Sequence, residues 1–98
     1  MIDFNSMYIS CSPIIIKENG EKKEKTFSVH FEEPSDGPES GRFADILIPY
    51  YQVTDAYRFD KGEQIDMLKY CWDNRGLLLR LAESRGSRLI TKQLINSD

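Results

Sequence analysis

The chain carries a single histidine, His30, so any histidine-dependent chemistry has to use it. A general base needs an orienting partner within hydrogen-bond reach. On an alternating strand, Ser28 and Glu32 share a face with His30 and can supply one. No Gly-x-Ser-x-Gly nucleophile motif accompanies them. A solvent-facing strand histidine is therefore the expectation. The other pair able to serve a catalytic site, or to be lent to a site shared with a second subunit, is Asp55 with Asp60.

Glu32, Glu33, Asp36 and Glu39 crowd around Gly37. They lack the ligand ladder and closing glutamate of an EF-hand, so a solvated acidic loop is expected rather than a metal site. The glycines, at positions 20, 37, 41, 62, 76 and 86, form neither Gly-x-Gly-x-x-Gly nor a P-loop. No nucleotide, and no other cofactor, is implied. Cys11 and Cys71 lie sixty residues apart, unlike a metal pair or a redox Cys-x-x-Cys. Two free thiols in a reducing compartment are the expectation.

Binding chemistry is better represented than catalysis. Six of the eleven aromatic residues fall between Tyr50 and Trp72, with Asp55, Arg58 and Asp60 among them. Tyrosine, tryptophan and arginine dominate binding hot spots because they bury large area and keep a polar tip. Phe59 and Trp72 are expected in the core. Tyr50, Tyr51, Tyr57 and Arg58 are the candidate contacts with a protein partner. The acidic group Glu32, Glu33, Asp36 and Glu39 is a second candidate surface. Arg85, Arg88 and Lys92 align if the tail is helical, and form the candidate phosphate-gripping strip.

Overall charge weighs against that last use. The chain has 98 residues and a net charge of −3, whereas general nucleic-acid binders are basic. Residues 1–60 hold eleven acids against six bases, and residues 61–98 hold seven bases against five acids. Strictly apolar runs, such as Ile14–Ile15–Ile16, are no longer than three residues, too short to cross a membrane as a helix. Met1 to Asn5 show no basic stretch followed by an apolar one, so a cytoplasmic location is expected.

These residues need elements to position them. Met7, Ile9 and Cys11 alternate with polar neighbours, as do Phe27, Val29 and Phe31. Period two predicts two strands, joined across Asn19–Gly20 in a loop longer than two residues. Lys17–Lys25 and Pro34–Arg42 lack large apolar side chains and are expected as loops. Phe43–Ile48 predicts a third strand, stopped by Pro49, and Tyr50–Phe59 permits a fourth. Asp60 and Glu63 have capping-box spacing for a helix running to Ser84. Ile65, Leu68, Trp72, Leu79 and Ala82 then form its expected buried stripe. Gly76 costs such a helix about 1 kcal/mol relative to alanine, so a break near Asn74 is allowed. Gly86 is the expected stop. The tail fits a short helix or an edge strand.

The expected fold is α+β: a two-layer domain with an antiparallel sheet of three or four strands packed on one main helix. Residues 1–86 form the domain and 87–98 an extension with a frayed end. The expected function is a small non-enzymatic protein-interaction module, a regulator, inhibitor or adapter of another protein. A homodimer through an open sheet edge is compatible with it. Nucleic-acid binding and a shared active site are the alternatives.

Overall fold

A computed structural model describes residues 2–34 and 41–91 of the chain. A 3-10 turn at Phe4–Ser6 leads into strands β1 (Tyr8–Cys11), β2 (Ile14–Asn19), β3 (Lys22–Glu33), β4 (Arg42–Ile48) and β5 (Gln52–Tyr57). Helices α1 (Lys61–Asp73) and α2 (Arg75–Ser84) follow, then strand β6 (Ser87–Thr91).

β3 organises the sheet. On one edge it pairs antiparallel with β4, from Phe27↔Ile48 to Glu33↔Arg42. On the other it pairs with β2 along its first half and with β1 along its second. Cys11 faces Val29 while Ile15 faces Thr26, so the β1–β2 side carries one extra residue. The bulge falls at Ser12–Pro13, where proline has no N–H to donate. Ser12 compensates. Its N–H donates to the Ser28 carbonyl, and its hydroxyl accepts from the Ser28 N–H, both at 2.9 Å.

The spatial order is β5-β4-β3-β2-β6, with β1 beside β3. Five strands pair antiparallel, and β6 joins parallel to β2 from Ile14↔Ser87 to Glu18↔Thr91. Gly86, at φ 94°, makes the turn from α2 into β6 that the sequence assigns to it. The chain is α+β as expected. The sheet is larger than three or four strands and contains one parallel pair. Two helices stand where one main helix was expected.

The segment Lys17–Lys25 is not a loop. β2 and β3 continue through it to a two-residue turn, Gly20–Glu21, with Gly20 at φ 68°. Beyond the core both faces are wet, so hydrophobic alternation disappears while the ladder continues. Charges align across it: Lys17 opposite Glu24, and Glu18 opposite Lys23 with a 3.7 Å ion pair.

One face of the sheet is apolar. Val29, Phe31, Ala44 and Ile46 are completely buried, joined by Cys11, Ile14, Phe27 and Ile48. Phe59 is buried as expected. The helices complete this core with Met67, Cys71, Leu78 and Ala82. α1 lies against β5 and α2 against β1. Asp60 and Glu63 form the capping box the sequence predicts. Each backbone N–H of the pair donates to the other's carboxylate. The helical run breaks at Asn74, whose side-chain amide donates to the Tyr70 carbonyl at 2.9 Å.

The buried helical stripe differs from the expected one. Ile65, Trp72 and Leu79 are exposed and Leu68 is half-buried; only Ala82 of that set is in the core. Two apolar stripes run along this segment, and the one with smaller side chains faces inward. Met67→Ala is expected to cost about 2–5 kcal/mol, as for a filled core position. Ile65→Ala should change stability by about 0.5 kcal/mol or less. Urea midpoints check this; equal losses would return the outer stripe to the core.

Candidate functional site

The sheet face opposite the core is built by register. Ser10, His30, Asp45 and Asp55 form one transverse row across β1, β3, β4 and β5. Tyr8, Glu32, Phe43 and Tyr57 form the next. His30 Nδ1 lies 2.6 Å from Asp45 Oδ1, and Nε2 lies 3.2 Å from Glu32 Oε1. Burial works against the charged ring, but the hydrogen bonds to Asp45 and then Glu32 outweigh it and raise the His30 pKa. A ring donating from both nitrogens is a poor general base. Among the described residues no serine hydroxyl bonds to it, and the Ser12 hydroxyl donates instead to the Pro13 carbonyl. Phe43 stacks between His30 and Tyr57, its ring centroid 6.1 and 5.6 Å from theirs.

The second candidate acidic surface divides. Glu32 and Glu33 are consecutive on a strand and point to opposite sides. Glu32 holds His30. Glu33 accepts two hydrogen bonds from Arg42, at 3.0 and 2.7 Å, and these hold its carboxyl below the usual range. Arg42 also donates to Glu63 at 2.8 Å and sits 4.4 Å from the Phe59 ring centroid. This group ties β3 and β4 to the start of α1, which accounts for Glu33 structurally. Asp36 and Glu39 lie outside the described residues. Asp60 is occupied as a helix cap, and Asp55 is exposed on β5.

The four candidate contact residues also separate. Tyr50 and Tyr51 lie in the β4–β5 turn after the cis Ile48–Pro49 bond; Tyr57 and Arg58 lie at the other end of β5. The Arg58 guanidinium is 5.0 Å from the Tyr57 ring centroid. Tyr51 instead meets Trp72 edge-on at 5.3 Å, and Arg75 lies 4.3 Å over the Trp72 ring. Arg75 also donates to the Trp72 carbonyl at 2.8 Å. Of the basic strip, Arg85 is exposed beside a cleft of about 470 Å³ with Ser10, Ser12, Ser28, His30 and Asp45. Arg88 lies in β6, and Lys92 is outside the described residues. The tail's strand conformation through Thr91 removes the helical alignment assumed for Arg85 and Arg88.

Trp72 corrects the sequence expectation most sharply. It is 54% exposed, not in the core, and Ile65 is 51% exposed one turn-pair earlier on the same side of α1. One apolar cleft includes this pair, and a second shares Tyr51 with it. The first, about 380 Å³, is lined by Tyr51, Ile65, Leu68, Lys69, Trp72 and Asp73. The other, about 280 Å³, lies at the junction of α2 with the sheet, among Phe27, Ile48, Pro49, Tyr51 and Leu79. Sequence reasoning missed Ile65, Trp72 and Leu79 as surface groups. The available signal was the competing stripe Met67, Cys71, Leu78 and Ala82 at spacings of four, seven and four.

Both cysteines are free and buried. Burial raises both thiols, Cys71 to about 12. Among the described residues no group of three or more His, Cys, Asp and Glu side chains is arranged to hold a metal ion, and no helix is long and apolar enough to cross a membrane. Comparison with protein-family models, curated proteins and solved structures finds no match.

Two outcomes test these placements. The raised His30 pKa means the fold favours the protonated ring. Its stabilisation is fully present below the unfolded value and lost as pH rises through the folded one. The stability gap between wild type and His30→Gln should therefore narrow as pH rises above about 6.5, the ordinary imidazole value. A gap that stays constant would contradict the two carboxylate bonds. Separately, native protein should resist thiol alkylation at about pH 8 and take two labels in urea, counted by mass spectrometry.

Proposed function

We propose that the chain is a non-enzymatic protein-interaction module, a cytoplasmic regulator, inhibitor or adapter that docks another protein on the surface around Trp72. The observation that carries this reading is the exposure of Trp72 beside Ile65 and Leu79, with Tyr51 and Arg75 packed on its ring. A large apolar surface held rigid before binding loses little entropy when a partner covers it. Tryptophan, tyrosine and arginine together at the centre of such a patch are the residue types on which binding energy concentrates. Tyr50, exposed in the adjoining turn, extends the patch. Tyr57 and Arg58 belong to the opposite end of β5 and fall outside it.

A non-enzymatic reading is supported by how the reactive side chains are used. His30 is clasped by two carboxylates, Asp60 caps a helix, Ser12 closes a bulge, and both thiols are buried. Two unpaired thiols support a reducing compartment.

The test is affinity purification of the tagged protein from its native lysate, with and without nuclease, beside an Ile65→Ser/Trp72→Ser variant. A stoichiometric protein partner that survives nuclease and is lost in the variant is the expected result. A partner retained by the folded variant, or one that disappears with nuclease, would overturn the reading. Circular dichroism confirms that the variant is folded; both positions are exposed, so the melting temperature should fall by no more than a few degrees.

A further inference from the structure

The surface around Trp72 has a cationic rim in a chain whose net charge is −3. We infer that its occupant is an acidic amphipathic segment of another protein, its apolar side chains seated in the two clefts and its carboxylates facing Lys25, Lys69 and Arg75. This inference rests on the docking reading above and names the chemistry of the partner.

The cleft at the α2–sheet junction has Lys25 and Arg75 among its lining residues and no carboxylate. The cleft along α1 has Lys69 and one acid, Asp73. Among the described residues none of these three cations makes a salt bridge, whereas Arg42 and Lys23 do. Helical geometry sharpens the asymmetry. Lys61 and Lys69 fall within about 60° of Trp72 around α1, while Asp66 and Asp73 fall about 100–120° away. The stripe Ile65–Leu68–Trp72 therefore carries lysines along it and acids only on its flank. Anchors spaced for one helical face, with acidic residues between them, match such a groove. Complementary rim charge sets encounter rate and partner choice more than raw affinity.

A second copy of this chain fits less well. A two-fold contact is self-complementary and sets the same patch against itself. It would bring each cationic rim against its twin. An anionic lipid surface shares the charge preference, but it has no discrete side chains to seat in the two clefts.

Trp72 is the chain's only tryptophan, so its emission reports this surface alone. The probes are two synthetic amphipathic peptides of about four helical turns with identical Leu and Phe anchors. One carries Glu between the anchors and its twin carries Lys. The Glu peptide should blue-shift Trp72 emission, and its binding should weaken as salt is raised. A Lys25→Glu/Lys69→Glu variant should lose about tenfold in affinity for it. Both lysines are exposed, so the variant's unfolding midpoint should match wild type. The Lys twin should leave the emission unchanged.

Equal binding of the twins, or an undiminished affinity in the double variant, would overturn the inference. If the twins bind equally and Ile65→Ser/Leu79→Ser abolishes both, the docking surface stands and only the acidic preference falls. No shift with either peptide also overturns the acidic partner, and the lysate comparison then judges the docking surface by itself. A blue shift on concentrating the protein alone would assign the surface to a second copy. A larger shift on phosphatidylserine vesicles than on the Glu peptide would assign it to lipid. Either result overturns the inference.

Discussion

The structure depends on β3 being paired along both edges while only one of its faces is apolar. Phe27, Val29 and Phe31 are buried on that face, with Ser28, His30 and Glu32 on the other. A strand in this position fixes the register of each strand paired to it, because a one-residue slip would exchange the two faces. The single irregularity on its β1–β2 edge is closed by the Ser12 hydroxyl, which accepts the hydrogen bond that the bulge at Pro13 would otherwise leave unmade. Without that acceptor, a half-buried Ser28 N–H would go unsatisfied at the point where β1 passes into β2.

The helical layer follows from what the apolar face of the sheet admits. Cys71 and Ala82 are small, and Met67 is unbranched and adaptable, so the helices can approach the sheet closely. Ile65, Trp72 and Leu79 are displaced outward by the same packing. A helix buries about one stripe against a sheet, and this segment has two. The surplus stripe is the apolar surface around which the functional proposal is built. The break at Asn74 carries Arg75 round to the Trp72 ring and opens the cleft beneath Leu79.

The open sheet face is organised differently. His30, Asp45 and Glu32 form a hydrogen-bonded group exposed enough to be screened by solvent. Its effect is on charge state and local order rather than on holding the layers together. The Arg42 group has the opposite role: one guanidinium joins Glu33, Glu63 and the Phe59 ring, and so links the sheet to the capping box of α1.

Some of this was written in the chain itself. Alternation at Phe27–Phe31, the Asp60–Glu63 cap, the possible break near Asn74 and the stop at Gly86 are local patterns, and local backbone preference is enough to express them. The α+β class follows from their order. Tertiary structure decided the rest. It brought Asp45 to His30 through strand register, parted Tyr51 from Tyr57 along β5, and drew the charged segment before Lys25 into a two-residue hairpin. It also chose between two apolar stripes on one helical segment. Periodicity shows that a face is apolar, but burial depends on the volume the opposing sheet leaves open. That volume belongs to the assembled layers, so Trp72 could be placed outside only once Met67, Cys71, Leu78 and Ala82 had filled the space within.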